Sequence, residues 1–308
     1  MSPSDTFMGT ATPPTVAVTK TRPFYWSVRR ELWENRSIYI APLAAAGVVL
    51  FGLVIGAFHL PTKALSQLAA LDPTKQAEML SIPYAIAAAA IMVTAFVVAV
   101  FYSLGALQSE RRDRSILFWK SLPVSDLTTV ISKAFVPLVV LPIVAFAIML
   151  ATLVFMIGVS AVVLPMNGLP PTLLLSTFPL LKTTVVLAYL LVVFTLWHAP
   201  IWAWLMLVSG WARRATFLWA FGPPLVLCVF EKLAFGTAYL AGLLHYRLTG
   251  AVKEAFAASD HTTDMHQLDI SQLDPLKFIF APGLWLGLLV AALLFAACVW
   301  QRRYRAPI

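Results

Sequence analysis

The sequence predicts an all-α integral membrane protein, and three observations support this. Hydrophobic residues make up 60% of the 308 residues and charged residues only 12%, against roughly a quarter charged in an ordinary soluble domain. Several uninterrupted apolar runs exceed the ~20 residues that a helix needs to cross a hydrocarbon core of roughly 30 Å. These runs do not alternate apolar and polar residues as membrane barrel strands do. We therefore expect helices, which satisfy their own backbone polar groups in lipid.

Six apolar segments are long enough to be transmembrane helices. The predicted spans are residues 38–58, 82–107, 130–154, 183–207, 217–235 and 278–300. Together with their connections they form one transmembrane domain over residues 24–308. Residues 1–23 are rich in Ser, Thr and Pro and lack a long apolar stretch. We expect them to be a disordered cytoplasmic tail rather than a cleaved signal peptide.

The distribution of Lys and Arg predicts the orientation in the membrane. With six spans both termini share a side, and that side carries 15 of the 22 basic residues and 6 acidic residues, a balance of +9. The other side has 7 basic and 8 acidic residues, a balance of −1. The positive-inside rule then places both termini on the cytoplasmic side of the inner membrane. Topology and anionic membrane lipids explain the net charge of +8 without nucleic acid as a partner.

An amphipathic helix is predicted just before the first span. Residues 24–36 place aromatic and aliphatic side chains on one side and polar ones on the other at helical period. Such a segment lies flat on the inner leaflet as an interface helix. We expect Trp26 and Trp33 to anchor in the headgroup region and Arg29 to extend its guanidinium group to the membrane surface. Arg30 and Glu31 are expected on the polar side of the helix.

The connection between the second and third spans is a dense polar segment, SERRDRSILFWKSLPVSD. It predicts a short amphipathic helix over residues 110–122, which Pro123 ends, and Ser125 or Asp126 can cap the next helix. A basic juxtamembrane loop is the simpler interpretation. The residues that would instead form a docking surface are Glu110, Arg111, Arg112, Arg114, Ile116, Leu117, Phe118 and Trp119.

Two other segments depart from simple spans. Residues 127–164 could form a helix of about 57 Å, longer than the membrane core, with Pro137 and Pro142 bending it. Residues 234–244 are apolar and contain glycines, yet they are too short to cross before His245 and Arg247. We predict a re-entrant or outer surface helix there.

These segments together resemble the type-2 ABC exporter permeases. In that family an acidic residue in the first cytoplasmic loop precedes a short coupling helix, a break and a lysine in the next span. Glu110, the LPVS break at residues 122–125 and Lys133 match this pattern, and residues 29–43 resemble the family's interface helix. This chain departs from the family at residues 111–114, where a charged stretch replaces the small residue that often follows the acidic one.

The resemblance implies a permease subunit that pairs with a second copy of itself or with a sister chain. A separate ABC ATPase would bind ATP and Mg and drive export of an amphipathic or hydrophobic substrate, such as a lipid, peptide or drug. The chain has no phosphate-binding loop, and we expect no catalytic, cofactor or metal residues in it and no enzyme activity of its own.

Two alternatives remain open from the sequence. An ATP-independent secondary transporter or channel usually carries acidic or Arg residues inside its spans, and none is evident at mid-membrane. A membrane-embedded enzyme would need a catalytic motif, and neither H-E-x-x-H nor G-x-S-x-G is present.

Three residues are candidates for a substrate path or gate. His198 either bonds a carbonyl freed by Pro200 or lines the path. Glu231 and Lys232 fall near the outer interface, either as a structural pair or lipid-facing anchor, or as a gate beside the re-entrant helix. The loop before the last span has metal-ligand residue types, although a solvated polar loop explains them more simply. These are Asp260, His261, Asp264, His266 and Asp269.

Overall fold

The computed structural model describes residues 22–59, 71–112, 124–166, 180–256 and 270–304. The predicted N-terminal tail, most of the predicted coupling helix and the polar outer loop lie outside the described residues. The same holds for five of the predicted docking residues: Arg114, Ile116, Leu117, Phe118 and Trp119.

The described residues are almost entirely helical. In chain order the α-helices are α1 Pro23–Glu34, α2 Ser37–His59, α3 Pro73–Gly105, α4 Gln108–Arg112, α5 Asp126–Phe135, α6 Leu141–Met166, α7 Leu180–Trp197, α8 Ala199–Trp211, α9 Thr216–Phe235, α10 Tyr239–Ala255, α11 Pro275–Phe280 and α12 Pro282–Tyr304. A π-helical turn, Val136–Val140, joins α5 to α6, and a 3-10 turn, Ile270–Gln272, precedes α11.

Within the part of the chain that the structure describes, six helices are long and apolar enough to cross a membrane, which is the predicted number. They are Ser37–Gly56, Glu78–Arg112, Asp126–Met166, Leu180–Trp197, Thr216–Phe235 and Pro282–Tyr304. The predicted fourth span, 183–207, is interrupted at His198, after which the shorter apolar helix α8 begins. Pro200 lacks a backbone N–H, so the helical ladder has a gap at this point.

The third span is as long as the sequence predicted, and its helix widens into a π-helical turn at the first of the two prolines. Its 41 apolar-rich residues contain the π-helical turn, with Pro137 at its start. A proline ring removes one hydrogen bond and crowds the preceding turn, and a widened turn relieves this. Pro142 lies in the first turn of α6, where a missing N–H has little cost.

The core of the bundle is built where α2, α3, α6, α8 and α12 pack together. Its most buried side chains include Ile91 of α3, Met149 of α6 and Leu205 of α8. A second core lies around Trp197 and joins α7 to α10, α11 and the start of α12. Large apolar side chains remain exposed on the outside of the spans, as expected where lipid is the solvent.

The helix between the fifth and sixth spans differs from the predicted one. Gly236 adopts a positive φ of 67° and ends α9. The next helix, α10, starts only at Tyr239 and continues to Ala255, past His245 and Arg247, where we expected it to stop. The reason is tertiary: the Arg247 guanidinium lies 4.6 Å from the centre of the Trp197 ring, which stabilises its charge within the packed helices.

Candidate functional site

One end of the bundle collects the charged segments. It contains α1, α4, the start of α5, the turn between α8 and α9, and the end of α12, which contact one another through hydrogen bonds and ion pairs. We call it the charged end. The charge distribution had assigned all these segments to one side, and the structure brings them together. Which membrane face they occupy stays a prediction.

At the charged end the structure forms a buried charge cluster. Its members are Arg30, Glu31, Tyr102, Glu110, Asp126, Lys133 and Arg302. Four of them are almost inaccessible, with exposed fractions of 1% for Glu31, 2% for Lys133, 6% for Glu110 and 8% for Arg302. Charged residues are rarely this buried unless they are paired.

Glu110 of α4 contacts cations from three other helices. Its Oε1 atom lies 3.1 Å from Nη2 of Arg30 and 3.2 Å from Nζ of Lys133. Its Oε2 atom accepts a hydrogen bond of 2.5 Å from Nη1 of Arg302. A single carboxylate therefore connects α4 to α1, α5 and α12.

Glu31 of α1 is the second acceptor in the cluster. Lys133 Nζ donates to its Oε1 atom at 2.8 Å, and the Tyr102 hydroxyl donates to Oε2 at 2.9 Å. Arg30 Nη2 lies 2.9 Å from Oε1. Burial lowers the pKa of Arg30, but its hydrogen bond to Glu31 and the surrounding carboxylates outweigh this, so the pKa is raised. The sequence had placed Glu31 on a polar face; that face turns into the protein.

Arg302 links the two ends of the segment 113–123. Its Nη1 atom contacts Glu110, which precedes the segment, and its Nε atom lies 3.0 Å from Oδ1 of Asp126, which follows it. Ser125 is the N-cap of α5, accepting from the N–H of Thr128 at 3.1 Å. Of the two residues predicted as possible caps, Ser125 is therefore the cap, and Asp126 pairs with Arg302 instead.

Pairing makes the burial of these charges energetically acceptable. An isolated buried ion costs several kcal/mol, which only close pairing and hydrogen bonding offset. The cluster contains three carboxylates and three cations. Removing one partner of such a pair typically costs about 3–5 kcal/mol. The cluster therefore restrains the positions of four helices relative to one another.

A second set of contacts ties α4 and the residue before it to the last turn of α8. The Leu107 N–H donates to the Ser209 hydroxyl at 3.0 Å, and Arg111 donates to the carbonyl oxygen of Gly210. A Cβ added at Gly210 would overlap the side-chain oxygen of the buried Gln301, so that a substitution here forces the Gln301 side chain to shift. Arg112, the other described docking candidate, ends α4.

The outward side of α1 is aromatic and basic. The Arg29 guanidinium lies 5.2 Å from the centre of the Trp26 ring and 4.7 Å from that of Trp33, and both tryptophans are exposed. Cation–π contacts of this kind fix three side chains as one surface. The arrangement suits a helix whose polar side packs on protein and whose aromatic side meets headgroups.

His198 sits at the interruption between α7 and α8. Its Nδ1 atom lies 2.9 Å from the carbonyl oxygen of Phe194, not from the carbonyl that Pro200 frees. It is thus a satisfied buried histidine, and it also borders a cavity of about 740 Å³ between α3, α6 and α7.

Glu231 has a role that the sequence did not suggest. Its carboxylate accepts hydrogen bonds from the Thr237 hydroxyl at 2.8 Å and from the N–H groups of Tyr239 and Leu240 at 2.7 and 2.8 Å. It therefore caps α10 instead of pairing with its neighbour Lys232. The carbonyl oxygen of Lys232 accepts from Gly236, and its side chain is exposed.

Within the described residues, no group of three His, Cys, Asp or Glu side chains is arranged to hold a metal ion. Cys228 and Cys298 are both free thiols.

Two cluster members were missed by the sequence analysis. Tyr102 lies within an apolar span, and a tyrosine there usually indicates packing or an interfacial position. Arg302 stands beside Arg303 after the last span, where basic residues are common on topological grounds alone. The one feature of the sequence that could have indicated the charge cluster is Lys133, which lies inside a predicted span, since a buried cation requires acidic partners.

Comparison with known proteins gave no match: no family model, no curated protein and no solved structure resembles this chain.

Proposed function

We propose that this chain is the transmembrane (permease) subunit of an ATP-binding cassette transporter. A separate ATPase subunit hydrolyses ATP, and the permease exports an amphipathic or hydrophobic substrate such as a lipid, peptide or drug. The main support is the position of Glu110. This residue occupies the acidic position of the family resemblance and is held by cations from α1, α5 and α12.

The charge cluster suits the transmission of force. The segment 113–123 lies between α4, which contains Glu110, and α5, which begins at Asp126. The carboxylates of Glu110 and Asp126 both contact Arg302. A push on this segment would move the second, third and sixth spans together, because buried ion pairs resist separation. A simple solvated basic loop would not need an ion pair at each of its ends. The pairs that Glu110 and Asp126 form with Arg302 therefore favour a coupling element.

The ATPase would bind the segment between the two anchors. Its aromatic and aliphatic residues form a stripe too short to be a span and large enough to fill a groove in a partner. The flanking charges would set approach rate and register. The residues assigned to this surface are Arg111, Arg112, Arg114, Ile116, Leu117, Phe118 and Trp119. Glu110, which the sequence also assigned to it, is only 6% exposed and would brace the segment from inside the bundle.

The complete transporter would contain two permease chains, identical or sister, and two ATPase subunits. The charged end would face the cytoplasm, where the ATPases bind ATP and Mg. α1 would rest on the inner leaflet through Trp26, Arg29 and Trp33, in contact with membrane lipids.

An ATP-independent secondary transporter or channel is the alternative. Ion-coupled transport requires a carboxylate that can exchange protons or ions. The carboxylates of Glu31, Glu110 and Asp126 at the charged end each lie within 3.2 Å of at least one cation. This favours a structural role for them over ion coupling.

The test is complex formation with a separate ABC ATPase. The full chain, co-expressed with the ATPase and purified in detergent, should carry two ATPases for every two permeases. Truncating an aromatic anchor at an interface typically costs about 2 kcal/mol. Trp119→Ala should therefore reduce ATPase occupancy about thirtyfold. Trp285→Ala, at an exposed position of α12, is the matched control and should leave occupancy unchanged.

Glu110→Gln tests transmission separately from docking. It removes one buried charge but none of the aromatic anchors, so the ATPase should still bind while its hydrolysis no longer responds to the permease. Two results together would contradict the proposal: equal ATPase occupancy in wild type and Trp119→Ala, and normal coupling of ATP hydrolysis in Glu110→Gln. The docking site would then lie elsewhere, and the main support for this function would be lost.

A further inference from the structure

Two patches of the charged end combine exposed aromatic rings with arginine. The first is the surface of α1, where the guanidinium carbon of Arg29 lies 5.2 and 4.7 Å from the centres of two exposed tryptophan rings. The second is the turn between α8 and α9. The ring centres of Trp211 and Trp219 are 4.8 Å apart, and the chain between them carries the exposed side chains of Arg213 and Arg214.

A third patch of the same composition lies at the end of α12. The centre of the Trp300 ring is 5.7 Å from that of Tyr304, and the Arg303 guanidinium lies 5.6 Å from the centre of the Tyr304 ring. All three side chains are exposed. We call the patches on α1, on the turn between α8 and α9 and at the end of α12 the aromatic–arginine belt.

The three patches lie at one level along the bundle. Arg30 on α1 and Arg302 on α12 both contact the Glu110 carboxylate. A Cβ on Gly210, beside the second patch, would touch the side-chain oxygen of Gln301, which is beside the third. The belt therefore shares the level of the buried charge cluster.

The belt presents cations without carboxylates. Among the described residues, none of its four arginines forms an ion pair. The carboxylates of the same end are used within the protein: Glu31 and Glu110 are buried, and Glu34 and Asp126 each pair with an arginine of the charge cluster. A basic surface of this kind attracts anionic lipid headgroups.

The position of the belt favours lipid over a protein partner. Each patch adjoins the exposed apolar side of a span: α1 leads into α2, and Trp219 belongs to α9. Trp300 continues the exposed side of α12 that carries Leu293. Within the described residues, α2, α9 and α12 pack mainly on α3, α6 and α8 rather than on one another. A headgroup layer surrounds all three spans, whereas a subunit docked on the segment 113–123 would cover only the part beside α4 and α5.

The α1 patch indicates which headgroup fits. Two tryptophans can cage the quaternary ammonium of choline, but here the Arg29 guanidinium already lies over both rings. A stacked guanidinium keeps its N–H edges for a phosphate, which it can bind through two hydrogen bonds. A phosphate that is not neutralised by an ammonium group of its own headgroup is therefore preferred.

We infer that the aromatic–arginine belt binds the phosphate groups of anionic phospholipids, such as phosphatidylglycerol, in preference to zwitterionic phospholipids. Its rings lie at the level of the headgroups, and its arginines pair with the phosphates there. The belt thereby fixes the depth of the charged end in the membrane. No ATPase takes part, so the inference goes beyond the proposed function.

The experiment uses the full chain in vesicles of equal parts phosphatidylglycerol and phosphatidylcholine, without any ATPase. A trace of one or the other lipid carries a photoactivatable diazirine near the carbonyl of one acyl chain, and labelled peptides are identified by mass spectrometry. The phosphatidylglycerol probe should label the three patches about fivefold more strongly, the factor that one arginine contributes near an anionic surface. Peptides around Lys232, at the opposite end of α9, should show no preference.

Arg29→Gln makes the comparison specific to one patch. It should reduce the preference of the α1 peptide about fivefold and leave the other two patches unchanged, whereas Arg29→Lys keeps the charge and should keep most of the preference. Lys182→Gln, at an exposed position of the opposite end, is the matched control and should label as wild type does. Should Arg29→Gln fail to purify as a folded protein, Arg303→Gln makes the same test on the third patch.

Two results would overturn the inference. One is equal labelling of the three patches by both probes, or a preference that Arg29→Gln and Lys182→Gln reduce alike. The other is absence of lipid labelling from the patches together with their cross-linking to a co-expressed ATPase, since the belt would then be a protein contact. Neither result decides whether Trp119→Ala lowers ATPase occupancy, so this inference and the proposed function can fail independently.

Discussion

Replacing Lys133 with methionine removes one cation from the centre of the charge cluster while it keeps most of the side-chain volume. The lysine Nζ atom lies 2.8 Å from Glu31 and 3.2 Å from Glu110. After the change, three carboxylates, of which Glu31 and Glu110 are buried, share two cations. Breaking a buried pair in this way typically costs about 3–5 kcal/mol, because it leaves a charge uncompensated. We expect a large loss of stability from this single substitution.

The measurement is thermal unfolding of the purified full chain in detergent, compared with Lys182→Met. Lys182 is exposed on α7, where a substitution should change the free energy of unfolding by no more than about 0.5 kcal/mol. The two variants remove the same charge from the whole protein. A difference between them therefore reports the environment of Lys133 and not the net charge.

A double variant identifies the cause. Glu31→Gln together with Lys133→Met removes one charge of each sign, so the remaining cluster is again balanced. We expect the double variant to be more stable than the sum of the two single effects predicts, by about 1–3 kcal/mol. If Lys133→Met unfolds like the Lys182 control, or if the two effects simply add, the cluster does not hold the helices together as described.

Three further predictions follow from other parts of the molecule. Glu231→Gln should weaken the cap of α10, seen as faster hydrogen exchange in the first turn of that helix. Gly210→Ala should destabilise the fold by about 1–3 kcal/mol through overpacking. Gly222→Ala should not, because an added methyl group at Gly222 has space. Equal unfolding temperatures of the two variants would contradict this. In a variant without native cysteines, an impermeant thiol reagent applied to intact cells should label Ala238→Cys and spare Ser125→Cys, and the reverse would invert the orientation.

The spans could be predicted from the sequence because hydropathy and length alone determine them. The long third span and an irregularity at Pro137 were also accessible, since an apolar run and a proline are local features. The extent of α10 was not. Its polar residues Arg247 and His245 suggested an end, but the Arg247 guanidinium lies against Trp197 and donates to the carbonyl oxygen of Gly283 at 3.0 Å, and such partners are invisible in the sequence.

The charge cluster shows the same limit at the candidate site. The sequence singled out Glu110 and Lys133 through a family resemblance, and Arg30 and Glu31 as polar residues of an interface helix. It gave no reason to join these two pairs, because 80 residues separate Arg30 from Glu110. Arg302 lies 192 residues beyond Glu110. Long-range pairing of charges depends on how the spans pack, and the hydropathy pattern does not encode that packing.

The energy source of transport tests the central proposal most directly. The chain is reconstituted in liposomes with and without its ATPase, and movement of fluorescent amphiphiles is followed with either ATP or an ion gradient as the only energy supply. We expect the amphiphile to move only when both the ATPase and ATP are present, and we expect Glu110→Gln to abolish this movement. Movement at full rate by the chain alone, in ATP-free liposomes driven by an ion gradient, would contradict it.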